Sequence, residues 1–328
     1  MATATLLLPA AGRFGGQRLS TASARRVGQA DVRVAPATVD ADRLARIFDV
    51  LPRGWPAAAV SRQRDAGDAA GALWLRADPV NVQPDINGAR LMAHGAALGL
   101  DADDAAALLP ALRPLFGDVG FLLDAPHPSR WYLRLPEGAR VPSLASPEQA
   151  LGEDMFEHLP AGDEGRRWRA LLSESQVVLH NHPHNARRAA AGLAPVNSLW
   201  FWGAGRTPDR ITTTYRAVYS DDDTVAAFAE AAGALAASLP PGWDGGAEAT
   251  QDDRLFDLRD IRDLRVFDRD WLAPLLTDID AGRLQRATLE FGDGATFGVA
   301  RRHRLRFWRR PRHSFASVAA PAPAGESG

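Results

Sequence analysis

His180-Asn181-His182-Pro183-His184-Asn185-Ala186-Arg187-Arg188, then Pro195-Val196-Asn197, then Ser198-Leu199-Trp200-Phe201-Trp202-Gly203-Ala204-Gly205, is the part of this 328-residue chain from which the fold class is read. Pro183 lacks the N–H that a helix interior needs and suits the first turn of a new helix, which Gly192 closes. The apolar run that follows, with Trp200 and Trp202 on one side, is a strand. Ahead of the block, Asp163 opens a helix to about 180 with Trp168, Leu171, Leu172, Val178 and Leu179 inward. Helix, short helix and buried strand in succession is the alternation of an α/β protein.

The alternation extends in both directions. Residues 6–8 (Leu6-Leu7-Leu8) form a first short strand, 10–36 an irregular Gly-, Ser- and Arg-rich stretch, and Asp40 caps a helix to 50 carrying Leu44, Ile47 and Phe48. Ala72-Leu73-Trp74-Leu75-Arg76-Ala77 is a buried-type strand ending in the polar turn Asp78-Pro79-Val80-Asn81. The carboxyl end of a strand is where open α/β sheets bind ligands. Asp101 caps a helix with Leu108, Leu109, Leu112 and Leu115, which Pro110 is expected to kink or shorten. Strands follow at 119–123 and 131–135, then at 211–219, and Asp221 caps an Ala-rich helix to about 239.

The Pro- and Gly-rich stretch 240–250 is the expected internal boundary. Beyond it, 268–280 is helical up to Gly282, and 285–291 pairs with 295–308 across Gly292-Asp293-Gly294, a hairpin signal. The expected organisation is an α/β core over 1–240, a C-terminal helix plus β-hairpin packed on it over 251–313, and a disordered tail over 319–328. The fold class is α/β, a mixed sheet flanked by helices.

Composition removes whole classes of chemistry. There is no Cys, and all 38 basic side chains are Arg because the chain has no Lys. Disulfides, thiol nucleophiles, zinc ribbons, Schiff bases and phosphate-loop lysines are excluded. Ser, Thr, His, Arg and carboxylate chemistry remains, with or without a hard metal. A net charge of −2 argues against a general nucleic-acid or membrane-surface binder. The charge is uneven, however: seven Arg and no acid lie in 301–313, leaving 31 Arg against 40 acidic residues elsewhere, a net of −9. No apolar run approaches the roughly 20 residues of a membrane span. No positive charge precedes Leu6, so the start does not read as a signal peptide and a cytoplasmic location is expected.

Three histidines in five residues suggest a metal site, but Pro183 breaks the helical spacing of His180 and His184, and no carboxylate is near in sequence. Either the block is a hydrogen-bonded helix junction, or the helix opening at Pro183 offers free N–H groups, Asn185 and Arg188 to a phosphate or carboxylate. Gly203-Ala204-Gly205 after a strand is not a dinucleotide fingerprint, since Pro208 stands at the third glycine position and no helix opens there. Near the C-terminus Arg304 and Arg306 alternate with Leu305 and Phe307 as in an amphipathic strand. Two readings apply to that patch: a solvated edge strand protected by charge, or a nucleic-acid contact through Arg301, Arg304, Arg306, Arg309, Arg310 and Arg312.

Four segments carry a resemblance over about 70–310: Trp74-Leu75-Arg76-Ala77-Asp78-Pro79-Val80, His127-Pro128-Ser129-Arg130-Trp131-Tyr132-Leu133, Leu159-Pro160 with Trp168-Arg169, and the 182–203 block. They resemble the RpfE-type regulatory proteins of bacteria. A more distant resemblance, through His182, Pro183, Asn185, Arg188, Pro195, Asn197, Gly203 and Gly205, runs to the archaeal type of cofactor-independent phosphoglycerate mutase, of the alkaline-phosphatase superfamily. That resemblance implies two divalent metals, a Ser nucleophile and a first strand ending in a metal-binding Asp. Here the strand ends Leu6-Leu7-Leu8-Pro9-Ala10-Ala11-Gly12, and the first 30 residues hold no Asp, Glu or His. A second motif is faintly echoed by Thr277-Asp278-Ile279-Asp280-Ala281-Gly282-Arg283, with Arg283 near where His and Asp should follow, and reads better as a helix ending at Gly282.

The resemblance therefore implies a regulatory or ligand-sensing protein on a degenerate alkaline-phosphatase-like core, with metal-dependent catalysis lost and neither cofactor nor metal expected. Asp78, Asn81, His180, His182, Asn185, Arg188 and Asn197 are the expected ligand-binding residues. The expected partners are a phosphorylated or carboxylate small molecule or another protein, with no membrane contact. The alternatives are an active mutase or related phosphotransferase, and a nucleic-acid-associated regulator.

Overall fold

The computed structural model describes residues 2–37, 39–86, 88–245 and 252–315. Fourteen strands occur among them: β1 (Thr3–Leu8), β2 (Asp31–Val34), β3 (Phe48–Leu51), β4 (Leu73–Asp85), β5 (Gly88–His94), β6 (Leu122–His127), β7 (Arg130–Leu135), β8 (Ser198–Gly205), β9 (Arg210–Thr213), β10 (Ala217–Tyr219), β11 (Leu235–Ala237), β12 (Asp253–Asp257), β13 (Arg286–Phe291) and β14 (Ala295–Ala300). The architecture is mixed α/β, as expected, but the chain divides differently. One unit is 51–209, and the other joins 1–50 to 210–328.

The discontinuous unit is a seven-stranded sheet in the order β11-β10-β12-β1-β13-β14-β2. The first five strands run parallel, and β14 is antiparallel to both neighbours. Leu6, Leu7 and Leu8 are fully buried, with Leu6 in register between Phe256 and Leu289. An all-apolar strand needs neighbours on both edges and cover on both faces. β12 and β13 supply the edges, so the expected appended C-terminal domain is instead the centre of the N-terminal sheet. Phe14, Phe256, Phe267, Trp271, Leu275, Phe297 and Phe315 belong to the core around it. The expected disordered tail lies outside the described residues, as does part of the expected boundary at 240–250.

Several local expectations change in this unit. The helix expected to reach 239 spans Asp223–Ala231, capped by Asp222, after which Gly233 at φ +74° turns the chain into β11. The strand expected over 211–219 is split into β9 and β10. The hairpin over 292–294 forms, but β14 stops at Ala300 and a short 3₁₀ helix, Arg301–Leu305, replaces the expected amphipathic strand. Its buried His303 accepts from the Ala300 N–H at 3.3 Å, which turns the chain there.

The continuous unit is built on β4, thirteen residues long, which pairs antiparallel with β5, β7 and β8. Asp78-Pro79-Val80-Asn81 is therefore the middle of a strand and not the turn expected at its end. Asp78 lies opposite Trp200 and Pro79 opposite Leu199. Helix Ala102–Gly117, with a reciprocal Asp101–Asp104 capping box, runs through Pro110 and Pro114 without being shortened. Trp168, from helix Gly162–His180, stacks on Phe121 at 5.4 Å and meets Phe201 edge-on at 5.5 Å.

The Gly203-Ala204-Gly205 run serves close packing. A Cβ on Gly203 would lie 2.9 Å from the Cβ of Ala57, and one on Gly205 2.3 Å from the Cβ of Pro56. The first turn of helix Ala57–Ala66 can press on β8 only because those side chains are missing. Gly205→Ala is expected to destabilise the chain by about 1–3 kcal/mol in urea unfolding. Gly117→Ala, at a position with open space, is the control and should change stability little. Equal effects of the two substitutions would contradict the packing role.

Candidate functional site

The 180–197 block folds as a junction whose polar atoms satisfy backbone. Helix Pro183–Ala190 starts at Pro183, and the His182 ring accepts from the His184 N–H at 3.3 Å as its cap. Asn185 donates to the carbonyls of Leu179 and Val196, both at 2.8 Å, and accepts from Val196 N–H at 2.9 Å. Asn197 acts as a surrogate strand residue, accepting from Val82 N–H at 2.8 Å and donating to Val82 O at 2.7 Å. Asn81 donates to Pro195 O at 2.9 Å. Arg188, almost wholly buried, donates to Ala194 O at 3.0 Å, to Leu98 O at 2.5 Å and to Asp104, which also holds His184 Nε2 at 2.6 Å. Burial works to raise the Asp104 carboxyl, but His184, the Asp101 N–H and Arg188 outweigh it and hold it low.

Of the seven expected ligand residues, the fold thus gathers Asn81, Asn185, Arg188 and Asn197 around the backbone of 194–197. Asp78 sits elsewhere on β4, buried, accepting from Arg76 Nε at 2.8 Å and Trp202 Nε1 at 2.7 Å. The Arg76 guanidinium lies 5.3 and 5.1 Å from the ring centres of Tyr132 and Trp202. His180 is exposed at its helix end, and His182 is half-buried, its ring pushed below the ordinary histidine value by burial and by His184. The hydrogen bonds of this block fix β8 on β4, which is a positioning task.

A second constellation, not singled out in the sequence, lies at the carboxyl ends of the parallel strands of the discontinuous unit. β12 ends at Asp257, whose carboxylate takes Arg259 Nε and Nη2 in a two-pronged pair, both at 2.7 Å. Arg259 Nη2 also reaches Asp222 at 2.9 Å, just after β10, and Nη1 reaches Asp40 at 3.4 Å, in the first turn of helix Asp40–Ile47. Ser220 Oγ donates to Asp257 at 2.8 Å. Beside them the buried Arg43 donates to Leu8 O at 3.2 Å and Glu290 O at 2.9 Å, tying the ends of β1 and β13, and to Asp40 at 2.9 Å.

Burial works to raise the Asp257 carboxyl, but the charge and hydrogen bonds of Arg259 prevail and hold it below the ordinary range. Burial opposes the charge on Arg259 in turn, and the carboxylates around it, Asp257 first, hold it fully protonated. The signal for this site in the sequence is Leu255-Phe256-Asp257-Leu258-Arg259, an apolar run closing on a carboxylate and an arginine. Asp40 and the 221–222 acids read only as helix starts.

These residues do not fit the two metals that the resemblance implies. β1 ends in Leu8 and Pro9 without a ligand, and the carboxylates that converge are already engaged by a guanidinium. Asp278, in the echoed motif, lies on helix Ala273–Ala281 and accepts from Trp243 Nε1 at 2.8 Å and Arg283 Nε at 2.9 Å. Gly282 ends that helix in the left-handed conformation, as expected.

No family model matches the chain. A 66-residue stretch is 41% identical to a probable 2,3-bisphosphoglycerate-independent phosphoglycerate mutase of Geobacter sulfurreducens, covering 20% of this chain and 16% of that one. A 79-residue stretch is 38% identical to the corresponding mutase of Methanosarcina barkeri, 24% of this chain and 19% of that one. Part of this chain is related to the phosphoglycerate mutases. The relationship spans under a fifth of the length of these two relatives. Among solved structures, a cofactor-independent phosphoglycerate mutase from Thermoplasma acidophilum aligns over 91% of this chain and 89% of its own, at 14% identity and a TM-score of 0.43. A Pyrococcus horikoshii protein aligns over 91% and 87%, at 12% identity and a TM-score of 0.46.

Because the Asp257 carboxyl is depressed in the fold, its contribution to stability is complete above the ordinary value of 3.8 and is lost as the pH falls through its lower folded value. Arg259→Gln leaves buried carboxylate charge unpaired and should cost about 3–5 kcal/mol at pH 7 in urea unfolding. The deficit should shrink as the pH falls below 3.8. An Arg259→Gln chain as stable as the wild type at pH 7 would contradict the assignment.

Proposed function

We propose that this chain is a phosphoglycerate-mutase-like protein that has given up metal-dependent phosphoryl transfer and acts as a regulatory or ligand-sensing protein of the RpfE type. The observation that carries the reading is the Arg259 guanidinium among Asp257, Asp222 and Asp40 at the carboxyl ends of the parallel strands. Two-metal chemistry needs cations that activate a nucleophile by coordination and clamp both oxygens of an in-line displacement. A guanidinium supplies fixed charge and hydrogen bonds but cannot lower a hydroxyl's pKa by coordinating it. The partial sequence relationship to the mutases supports a shared ancestry of the fold, and the arginine supports loss of the reaction.

The ligand class implied is a phosphorylated or carboxylate small molecule met in the cytoplasm. In this reading Asn81, Asn185, Arg188 and Asn197 shape the site by holding β8 on β4, Asp78 holds the Arg76 and Trp202 side chains, and the exposed His180 and half-buried His182 are the groups left for direct contact.

Two measurements test the proposal together. No manganese-dependent interconversion of 2- and 3-phosphoglycerate is expected. Thermal unfolding should be shifted upward by at least one phosphorylated acid, by the equivalent of about 2.7 kcal/mol at roughly 100 times its Kd. Manganese-dependent turnover that disappears in His182→Ala would overturn the loss of catalysis in favour of an active mutase. Absence of stabilisation by every phosphorylated acid tried would overturn the sensing role.

A further inference from the structure

The Arg-rich segment after β14 carries an aromatic-tipped turn that has no part in the site at Arg259. Arg306 is anchored to Asp31 at 2.7 Å and to Gln29 O at 3.0 Å, Arg309 to Ala30 O at 2.7 Å, and the backbone closes a turn from Arg309 N–H to Arg306 O at 3.2 Å. Farther on, Arg312 N–H donates to Ala24 O at 2.8 Å. The two central residues of this braced turn are Phe307 and Trp308. They are 77% and 68% exposed, and the neighbouring Leu305 is 74% exposed. Turn centres ordinarily carry Gly, Pro, Asn or Asp, for which two large aromatics are a costly replacement in water. Arg301, Arg302, Arg304, Arg309 and Arg310, which flank them in sequence, are exposed, with Arg304 3.8 Å from Asp280, and no acidic residue lies between 301 and 315.

We propose that this turn docks on an anionic lipid surface, with Leu305, Phe307 and Trp308 entering the headgroup region and the flanking guanidinium groups pairing with lipid phosphates. Two adjacent aromatic side chains at the tip of a braced turn, with exposed Leu305 and arginines flanking them in sequence, match the chemistry of such an interface: apolar below, anionic above, with Trp suited to the boundary. Single-stranded nucleic acid fits less well. The Phe307 and Trp308 rings stand at 84° with centres 5.3 Å apart, so successive bases cannot stack in parallel on both, and Leu305 offers no π face. The net negative charge of the whole chain does not oppose docking, because charges beyond a Debye length of about 10 Å are screened. The nearby Asp31 is already paired with Arg306 at 2.7 Å, and Asp280 with Arg26 at 3.0 Å. The proposed contact is peripheral; no helix among the described residues is long and apolar enough to cross a membrane.

Co-sedimentation of the full chain with vesicles of phosphatidylcholine, with and without phosphatidylglycerol, tests the assignment. The wild type should pellet with the anionic vesicles and not with the neutral ones, and less as salt is raised. A chain carrying Phe307→Ser and Trp308→Ser should lose about tenfold or more in vesicle affinity while keeping the wild-type urea midpoint, as the side chains are exposed. Arg301→Gln, Arg302→Gln and Arg304→Gln together should weaken binding to anionic vesicles in the same direction. Vesicle binding unaffected by the aromatic substitutions, or no binding to anionic vesicles, would overturn the proposal. Binding of a labelled oligothymidylate without vesicle binding would overturn it in favour of nucleic acid.

Discussion

The two-pronged pair between Arg259 and Asp257 organises the end of the sheet on which the discontinuous unit converges. It joins the end of β12 to the turn after β10 through Asp222, and to the start of helix Asp40–Ile47 through Asp40. These groups come from three regions of the chain, two of them more than 200 residues apart. A buried ion pair of this kind contributes little net stability against an apolar replacement, but removing one partner is expensive. Its role is to specify an arrangement. Asp222 illustrates this, since the same carboxylate caps helix Asp223–Ala231 and receives Arg259.

The continuous unit solves a comparable problem without a central charge. Its β8 must lie against β4 while the chain between helix Pro183–Ala190 and β8 stays irregular, leaving backbone groups with no ladder partner. Asn185 and Asn197 each pair both side-chain functions with backbone, and Arg188 spans carbonyls of two segments while Asp104 balances its charge. The cost of leaving buried backbone groups unpaired explains why such residues gather in one short block. Polar residues dense enough to resemble a ligand site are here spent on the fold.

Local signals are legible in the sequence. The Pro183 helix start, the helix ending at His180, the Gly282 stop and the 292–294 hairpin depend on residues within a turn or two of one another. Non-local pairing was not legible. Nothing near Leu6 states that Phe256 and Leu289 will flank it, so the C-terminal elements read as an addition and not as the sheet's centre. Asp78-Pro79 has the composition of a turn, and only the partners of β4 on β7 and β8 show that the strand continues. The Arg259 cluster is illegible for the same reason, because its carboxylates are adjacent only after the sheet has formed. The alternation Arg304-Leu305-Arg306-Phe307 is ambiguous in the opposite direction, since a period of two also describes a short helix and turn whose apolar side chains face water.

In the proposed reading, the Arg259 guanidinium balances the carboxylates at the ends of β10 and β12 in place of a divalent ion. Calorimetric titration of manganese into the wild-type and Arg259→Ala chains tests it most directly. No binding heat is expected from the wild type, and a binding isotherm from the folded Arg259→Ala chain, in which Asp257 and Asp222 lose their guanidinium partner while Asp40 keeps Arg43. Manganese binding by the wild type that persists unchanged in Arg259→Ala would contradict it.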